Sequence, residues 1–473
     1  MEIHVIRTND TLWNIARQYG ADIEQIILLN DLQDPNTLVV GQAIVIPDPL
    51  REYVVKPGDV LWQIAARYSV SVQDLSAYNQ ITNPSLIFPG QLLFMPYVLY
   101  PVQQGDNLWS IAQRYGVTIQ EIAQMNQLTN VSFIYIGQLL RIPNRAKPST
   151  EVNAYTTEID EAGRLEVLQL GRYFTYLSPF MYSMREDGTI TDLQDEGLIE
   201  AAQLNEVLPL LVLTNFRNSE FDSDLAASVL RNPEVQETLI TNLLAEMKTK
   251  GYSGLNIDFE YIYPEDRENY NNFLRRVVQR LHPEGFSVST AVAPKERADQ
   301  EGLLYEAHDY RAHGEIVDFV VLMTYEWGWA GGRPWAIAPI NKVRDVLDYA
   351  VTEIPPEKIL MGVPLYGRDW RIPWEEGTFA RTVSPKEAVD LAARYGVAIQ
   401  YDETYQSPFF QYTDENGQRH EVWFEDARSM QVKYDTVKQY GLRGISYWVL
   451  GNPFPQNWPV LQNNFFISKI TNE

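Results

Sequence analysis

Apolar positions in the first 144 residues fall into one short pattern, repeated three times. The first copy opens on Val5-Ile6 and continues with Leu12, Ile15, Ala16 and Tyr19. That spacing places apolar side chains on one face of a helix. Ile23, Ile26 and Ile27 mark a second helix, and Ile44 to Ile46 a closing strand. The copies align at HVIRTNDTLW (4–13), YVVKPGDVLW (53–62) and YPVQQGDNLW (100–109), and each ends on a Gly-Gln pair and an apolar run closed by Pro. A motif returning every 47 to 49 residues, as Trp13, Trp62 and Trp109 do, signals tandem supersecondary units. The pattern predicts three βααβ modules, at 1–48, 51–97 and 98–144. Asp10, Asp59 and Asp106 stand where a helix N-cap is wanted, because a carboxylate accepts from the free N–H groups of a first turn.

Residues 145–151 lack apolar periodicity, contain Pro148 and read as a linker. From 152 onward, apolar strand-like runs alternate with helical patterns. The runs are Val152 to Thr156, then 173–183, 208–216, 254–262, 286–294, 317–327, 358–367 and 441–450. Between them, residues 223–250 and 266–281 carry apolar side chains at helical intervals, such as Leu239, Leu243 and Met247, or Tyr270, Phe273 and Val277. Continuous apolar strands with helical crossovers indicate an α/β fold with a parallel sheet. Eight such units over 152–473 predict a (β/α)8 TIM barrel. The span exceeds the usual length of about 250 residues, so a small α+β insertion is expected between strands seven and eight, at about 371–437. There QYTDENGQRHEVWFED reads as a hairpin turning at Asn416-Gly417, and 384–395 as a helix. A doubly wound sheet would need a glycine-rich nucleotide loop, and the chain has no GxGxxG.

Net charge is −24, almost all of it beyond residue 150, since the first 150 residues hold 9 Lys+Arg and 12 Asp+Glu. Phosphate recognition needs clustered basic side chains, so nucleic acid and anionic membrane surfaces are not expected partners. There are no cysteines, which excludes disulfides and thiolate chemistry. The five histidines, His4, His282, His308, His313 and His420, show no metal-ligand spacing, so neither a metal nor another cofactor is expected. The opening MEIHVIRTND has no basic segment followed by an apolar core, and no later run is long enough to span a bilayer. The expectation is a chain handled without a classical signal peptide. Its 28 Tyr and 11 Trp suit core packing and sugar stacking equally.

The chemistry concentrates in Gly254-Leu255-Asn256-Ile257-Asp258-Phe259-Glu260. Strand side chains alternate, so Asn256, Asp258 and Glu260 share a face, while Leu255, Ile257 and Phe259 face the helices. In a barrel the first set points inward, with Glu260 nearest the C-terminal end where barrel sites sit. Two desolvated carboxyls so close cannot both ionise cheaply, and one keeps its proton near neutral pH. Protonating a glycosidic oxygen requires such a group. The same pair also fits a structural role, neutralised by Arg or Lys.

Two resemblances follow from these residues. The repeats resemble LysM modules, which implies weak binding of N-acetylated glycans, chitin or peptidoglycan, in a shallow groove between the loop before helix one and the loop after helix two. Carried over, the groove residues are Asp10, Thr11 and Asn30, then Gly58, Asp59 and Asn79, then Gly105, Asp106 and Asn126. Asn9 stands where the other copies have Gly, so the first loop is expected to differ. Three weak sites in series raise effective concentration at a polymer.

GLNIDFE resembles the DGxDxDxE signature of family-18 glycoside hydrolases. Met323-Thr324-Tyr325-Glu326 is similar to that family's MxYD, and Gly362 to Trp370 to its GxPxYGRxW. Trp448 sits where the family places a Trp beneath the sugar. Ser253 and Asn256 depart from the first two aspartates, and Glu326 from the aspartate after the tyrosine. With LysM modules in front, the pattern resembles the spore cortex-lytic, SleL-type branch. The resemblance implies Glu260 as general acid then base, Asp258 orienting the acetamido group and stabilising an oxazolinium ion, and Tyr325 donating to the acetamido carbonyl. It also implies substrate contacts from Asn256, Met323, Glu326, Tyr366, Arg368 and Trp448. The implied function is a retaining β-N-acetylglucosaminidase on cortex peptidoglycan, located in the spore coat, cortex or wall. The sugar's own acetamido oxygen serves as nucleophile. A chitinase and a non-catalytic wall-binding spore-coat protein are the alternatives.

Overall fold

A computed structural model describes residues 1–81, 83–144 and 147–470. The chain divides into two compact units, Met1–Pro148 with Pro455–Asn463, and Ser149–Phe454 with Asn464–Glu473.

The first unit contains the three βααβ modules. In each, the outer strands pair antiparallel: Glu2–Val5 with Ala43–Ile46, Glu52–Val54 with Leu92–Phe94, and Tyr97–Pro101 with Leu139–Pro143. The helix pairs are Leu12–Tyr19 and Ile23–Asn30, Leu61–Arg67 and Val72–Tyr78, and Leu108–Tyr115 and Ile119–Met125. Leu12, Ile15, Ala16 and Ile26 form the first core with Ile44 and Ile46, as the spacing predicts. Tyr97 opens the third module's first strand while its ring packs in the second module's core.

The aspartates are not the N-caps. Thr11, Val60 and Asn107 occupy that position, and only Thr11 and Asn107 cap with a side chain. Each aspartate closes the turn before the helix instead. Asp10, Asp59 and Asp106 accept from the backbone N–H three residues earlier, each at 2.8 Å. Each also binds a ring from the first strand: His4 at 3.0 Å, and Tyr53 and Tyr100 at 2.7 Å. Asn9 takes the same left-handed backbone (φ 71°) as Gly58 (85°) and Gly105 (89°). Asn tolerates that region, so the first loop is conserved in shape, against expectation.

The second unit is a closed barrel. Its strands are β1 (Ser149–Thr156), β2 (Tyr176–Pro179), β3 (Leu208–Thr214), β4 (Gly254–Asp258), β5 (Ser287–Val292), β6 (Phe319–Leu322), β7 (Ile359–Pro364) and β8 (Gly444–Trp448). All eight pair in parallel in chain order, and β8 closes on β1. Inward side chains, including Tyr176 of β2, Val212 of β3, Phe319 of β6 and Leu360 of β7, fill the interior, as a closed eight-stranded barrel requires. β1 begins at Ser149, inside the stretch expected as linker, because Ser149 and Thr150 pair with Phe466 and Ile467. That partner strand lies at the far end of the chain, and neither residue is apolar. The helical pattern over 223–250 is two helices, Ser223–Leu230 and Pro233–Lys250. Asn232 caps the second, and Pro233 suits its first turn.

After β7 the chain forms an antiparallel sheet. Gly367–Ile372 lies between Arg381–Val383 and Arg419–Trp423, and Ser407–Thr413 pairs with the latter and with Gln400–Asp402. Helix Pro385–Arg394 and the turn at Asn416-Gly417 fall where the sequence suggests. The sheet starts at Gly367 and ends at Trp423, and helix Ala427–Tyr440 is the crossover into β8. The inserted segment is thus earlier and shorter than about 371–437: Arg368 and Trp370 extend their apolar run into a new strand, and a barrel helix reads the same as an inserted one.

Candidate active site

A cleft of about 600 Å³ opens at the C-terminal ends of the barrel strands. Its wall takes Tyr155 from β1, Asp258 from β4 and Glu260 beyond it, Met323, Tyr325 and Glu326 from the loop after β6, and Trp448 from β8. Among the described residues, no group of His, Asp and Glu is arranged to hold a metal ion.

The alternation predicted for β4 orders this centre. Leu255, Ile257 and Phe259 are fully buried, and Phe259 stacks on Tyr270 and Phe273 of helix Arg267–Leu281 at 5.6 and 5.9 Å. The opposite face carries Asn256, Asp258 and, two residues past the strand, Glu260. Asn256 is sealed beneath the cleft and does not line it. Its Oδ1 accepts from the Tyr155 hydroxyl at 2.8 Å, and its Nδ2 donates to Ser289 Oγ at 2.9 Å.

Asp258 is buried, and its Oδ1 has no hydrogen-bond partner among the described residues. Neither Asp258 nor Glu260 is paired with a Lys or Arg among the described residues, so cationic neutralisation is absent. Burial pushes the Asp258 carboxyl well above the usual carboxylate range. Glu260 is partly open to the cleft yet densely enclosed. Burial raises it first, and then the nearby negative charges of Asp258 and Glu326. The two carboxyls titrate as a pair that holds a proton through neutral pH.

Around them, Tyr325 is nearly buried, and burial holds its phenol protonated, a hydrogen-bond donor at every working pH. Gly362 of β7 leaves room for it, since a Cβ there would lie 2.7 Å from Tyr325 Cε1. Glu326 accepts from the Tyr366 hydroxyl and from Arg368 Nη2, the latter at 2.9 Å. Tyr366 and Arg368 do not themselves line the cleft and are joined to its wall through Glu326. Trp448 lies edge-on to Tyr155 and Phe180, with centroids 5.5 and 4.9 Å away.

Sequence reasoning missed several aromatic residues of the wall: Phe180, Phe216, Tyr261, Tyr305, Trp327 and Trp329. Tyr261, Trp327 and Trp329 follow directly on the two site segments, which is the signal that points to them. Phe180 and Phe216 belong to the ends of apolar runs and carry no such mark.

In the modules, Asn30, Asn79 and Asn126 turn inward. Each Nδ2 donates to a carbonyl of its own helix and to one of the closing strand, and each Oδ1 accepts from that strand's N–H. Thr11 caps its helix, and Gly58 and Gly105 shape the turns. The asparagine side chains are thus occupied by hydrogen bonds within each module.

A carboxyl that keeps its proton near neutrality, in an aromatic-walled cleft, is what protonating a glycosidic oxygen demands, and it places the chain among the barrel glycosidases. The chain belongs to glycoside hydrolase family 18 and carries three LysM domains. The family model Glycosyl hydrolases family 18 matches residues 219–452, and the LysM domain model matches 4–47, 53–96 and 100–143. The chain is 45% identical to the cortical fragment-lytic enzyme of Bacillus subtilis (strain 168), over 100% of both chains. It is 43% identical to that of Bacillus anthracis, over 99% of each. The crystal structure of the Bacillus megaterium QM B1551 spore cortex-lytic enzyme SleL matches with TM-score 0.79 and 38% identity, covering 99% of both chains.

Proposed function

We propose that this enzyme cleaves spore-cortex peptidoglycan fragments at N-acetylglucosamine with retention of configuration, in the spore cortex and coat. Glu260 protonates the leaving oxygen and then activates water. Asp258 and Tyr325 hold the acetamido group so that its carbonyl oxygen attacks the anomeric carbon, and Asp258 stabilises the resulting oxazolinium ion. Substrate assistance removes the need for a second enzymic nucleophile. Met323, Glu326 and Trp448 contact the sugar, with Tyr366 and Arg368 acting through Glu326. The LysM array holds the enzyme on the polymer through several weak contacts.

The observation that carries this reading is the Asp258–Glu260 pair, desolvated, without a cationic partner among the described residues and facing the cleft beside Tyr325. Full-length relatives named as cortical fragment-lytic enzymes support the substrate.

The test is Glu260→Gln in the full chain, with products from cortex fragments and from chitin oligomers identified by mass spectrometry. We expect turnover to fall by about 10³-fold or more, the loss of a general acid compounded by that of the later base, with folding and wall binding unchanged. Wild-type turnover in that variant would sink the assignment, and products from chitin alone would redirect it to a chitinase.

A further inference from the structure

The peptide groups that carry Glu260 lie beyond the sheet. The β3–β4 ladder ends at Thr214 and Asp258, and the β4–β5 ladder at Ile257 and Thr290. Tyr261 then turns sharply through the left-handed region, at φ 54°. Three side chains from other elements take over where the ladder stops.

His308 bridges the ends of β5 and β4. Its Nδ1 accepts from the Ala293 N–H at 2.9 Å, so the ring proton sits on Nε2, which donates to the Phe259 carbonyl at 2.9 Å. Burial pushes this imidazole down to about 4, which keeps that one-donor, one-acceptor form at working pH. Asn215, just past β3, clamps Glu260 itself. Its Oδ1 accepts from the Glu260 N–H at 3.0 Å, and its Nδ2 donates to the Glu260 carbonyl at 2.9 Å and to the Asp222 carbonyl at 3.0 Å. Ser223 Oγ donates to the Tyr261 carbonyl.

We propose that Asn215 and His308 are positioning residues, which fix the Glu260 carboxyl over the cleft by tying down the two peptide groups that flank it. A catalytic group needs placement within a fraction of an ångström, and an untethered chain end does not supply it. The proposal rests on Glu260 being the acid. Without the clamps the carboxyl gains freedom to leave Asp258, Glu326 and the phenols of Tyr261 and Tyr325, and to be hydrated.

The test compares Asn215→Ala, His308→Leu and His308→Gln in the full-length enzyme, with cortex fragments as substrate. Turnover and KM are measured across pH, and folding is followed by thermal unfolding. In the first two variants kcat is expected to fall by about tenfold or more, as misplaced groups do, with KM within about twofold. The alkaline limb of the kcat profile should move to lower pH, because a hydrated carboxyl releases its proton more readily. His308→Gln, whose amide carries one acceptor and one donor, should recover most of the rate. Folded Asn215→Ala and His308→Leu enzymes with near wild-type kcat, or with a lowered kcat and an unmoved limb that glutamine does not rescue, overturn the clamp. If His308→Leu fails to fold, Asn215→Ala decides alone. Glu260→Gln run alongside separates the two claims: activity surviving there overturns the acid assignment, and activity lost there but intact in the clamp variants overturns only the clamp.

Discussion

The hydroxyl of Tyr155 donates to Oδ1 of Asn256 at 2.8 Å, directly beneath Asp258. The asparagine satisfies the phenol and Ser289 without adding charge. An aspartate there would put a third carboxyl beside two that already resist ionisation, and the cluster would hold its protons more tightly. Asn256→Asp is therefore expected to move the alkaline limb of kcat/KM to higher pH. It should also lower stability relative to the native enzyme as pH rises past the carboxylate range. A pH–rate profile with thermal unfolding at mildly acidic and alkaline pH checks both, and an unmoved limb would show that Asn256 is electrically isolated from the pair.

Asp258 carries the opposite expectation. Its folded-state affinity for a proton exceeds that of an unfolded aspartate, because burial penalises the charge. A raised carboxyl weakens the fold as pH rises from the unfolded value toward the folded one, since the unfolded chain then gives up its proton more easily. Asp258→Asn removes that penalty. We expect no stability difference from this group at about pH 4, a gain of about 1 kcal/mol or more at about pH 8, and loss of nearly all turnover. Unfolding midpoints across that range, with activity measured in parallel, test it. Equal midpoints at both ends would mean that the Asp258 carboxyl is solvated.

The eight barrel strands were legible because parallel strands buried on both faces read as apolar runs, and the Asp258–Glu260 spacing was legible because strand periodicity is two. What stayed hidden depends on partners distant in sequence. Ser149 and Thr150 look like linker until Phe466 and Ile467 pair with them. Asn215 and His308 are one amide and one ring among many, and their meaning lies in backbone groups 45 and 49 residues away. Alternation put Asn256 on the inward face and the family resemblance made it a substrate contact, but depth in the barrel, which neither encodes, put it beneath the floor. The repeat aspartates looked like caps because they precede the helix by two residues, and the competing demand of the turn's N–H and a first-strand ring claimed them.

Glu326 is expected to tune the acid at a distance. It is one of the charges that hold the Glu260 proton in place, after burial and Asp258. Glu326→Gln removes that charge, so Glu260 should release its proton at lower pH and the alkaline limb of kcat/KM should move down. Tyr366 and Arg368 keep a neutral acceptor in the amide, so the fold should change little. An upward or absent shift, read from the pH–rate profile, would remove Glu326 from the electrostatics of the acid.

The module asparagines are expected to govern wall binding through folding. Asn30 is buried, and its side chain makes three hydrogen bonds, at 2.9 Å to the Ile26 carbonyl and at 2.7 Å to each backbone group of Val45. Asn30→Ala breaks all three and strands the two carbonyls and the N–H in the module interior, at a cost of about 2–4 kcal/mol from lost and unsatisfied hydrogen bonds. A domain this small has little stability to lose, and without any cysteine it has no crosslink to compensate. The first module should unfold, and co-sedimentation with purified wall should drop severalfold, because each lost site lowers the effective concentration of the rest. Release of reducing ends from short soluble fragments should be unchanged, since the cleft lies in the barrel unit. At Asn126 the bonds to Arg141 are solvent-exposed, so the same substitution there should cost less. Wall binding that survives Asn30→Ala undiminished, with hydrogen exchange showing the first module still protected, would mean that this hydrogen-bonded bridge does not hold the module together.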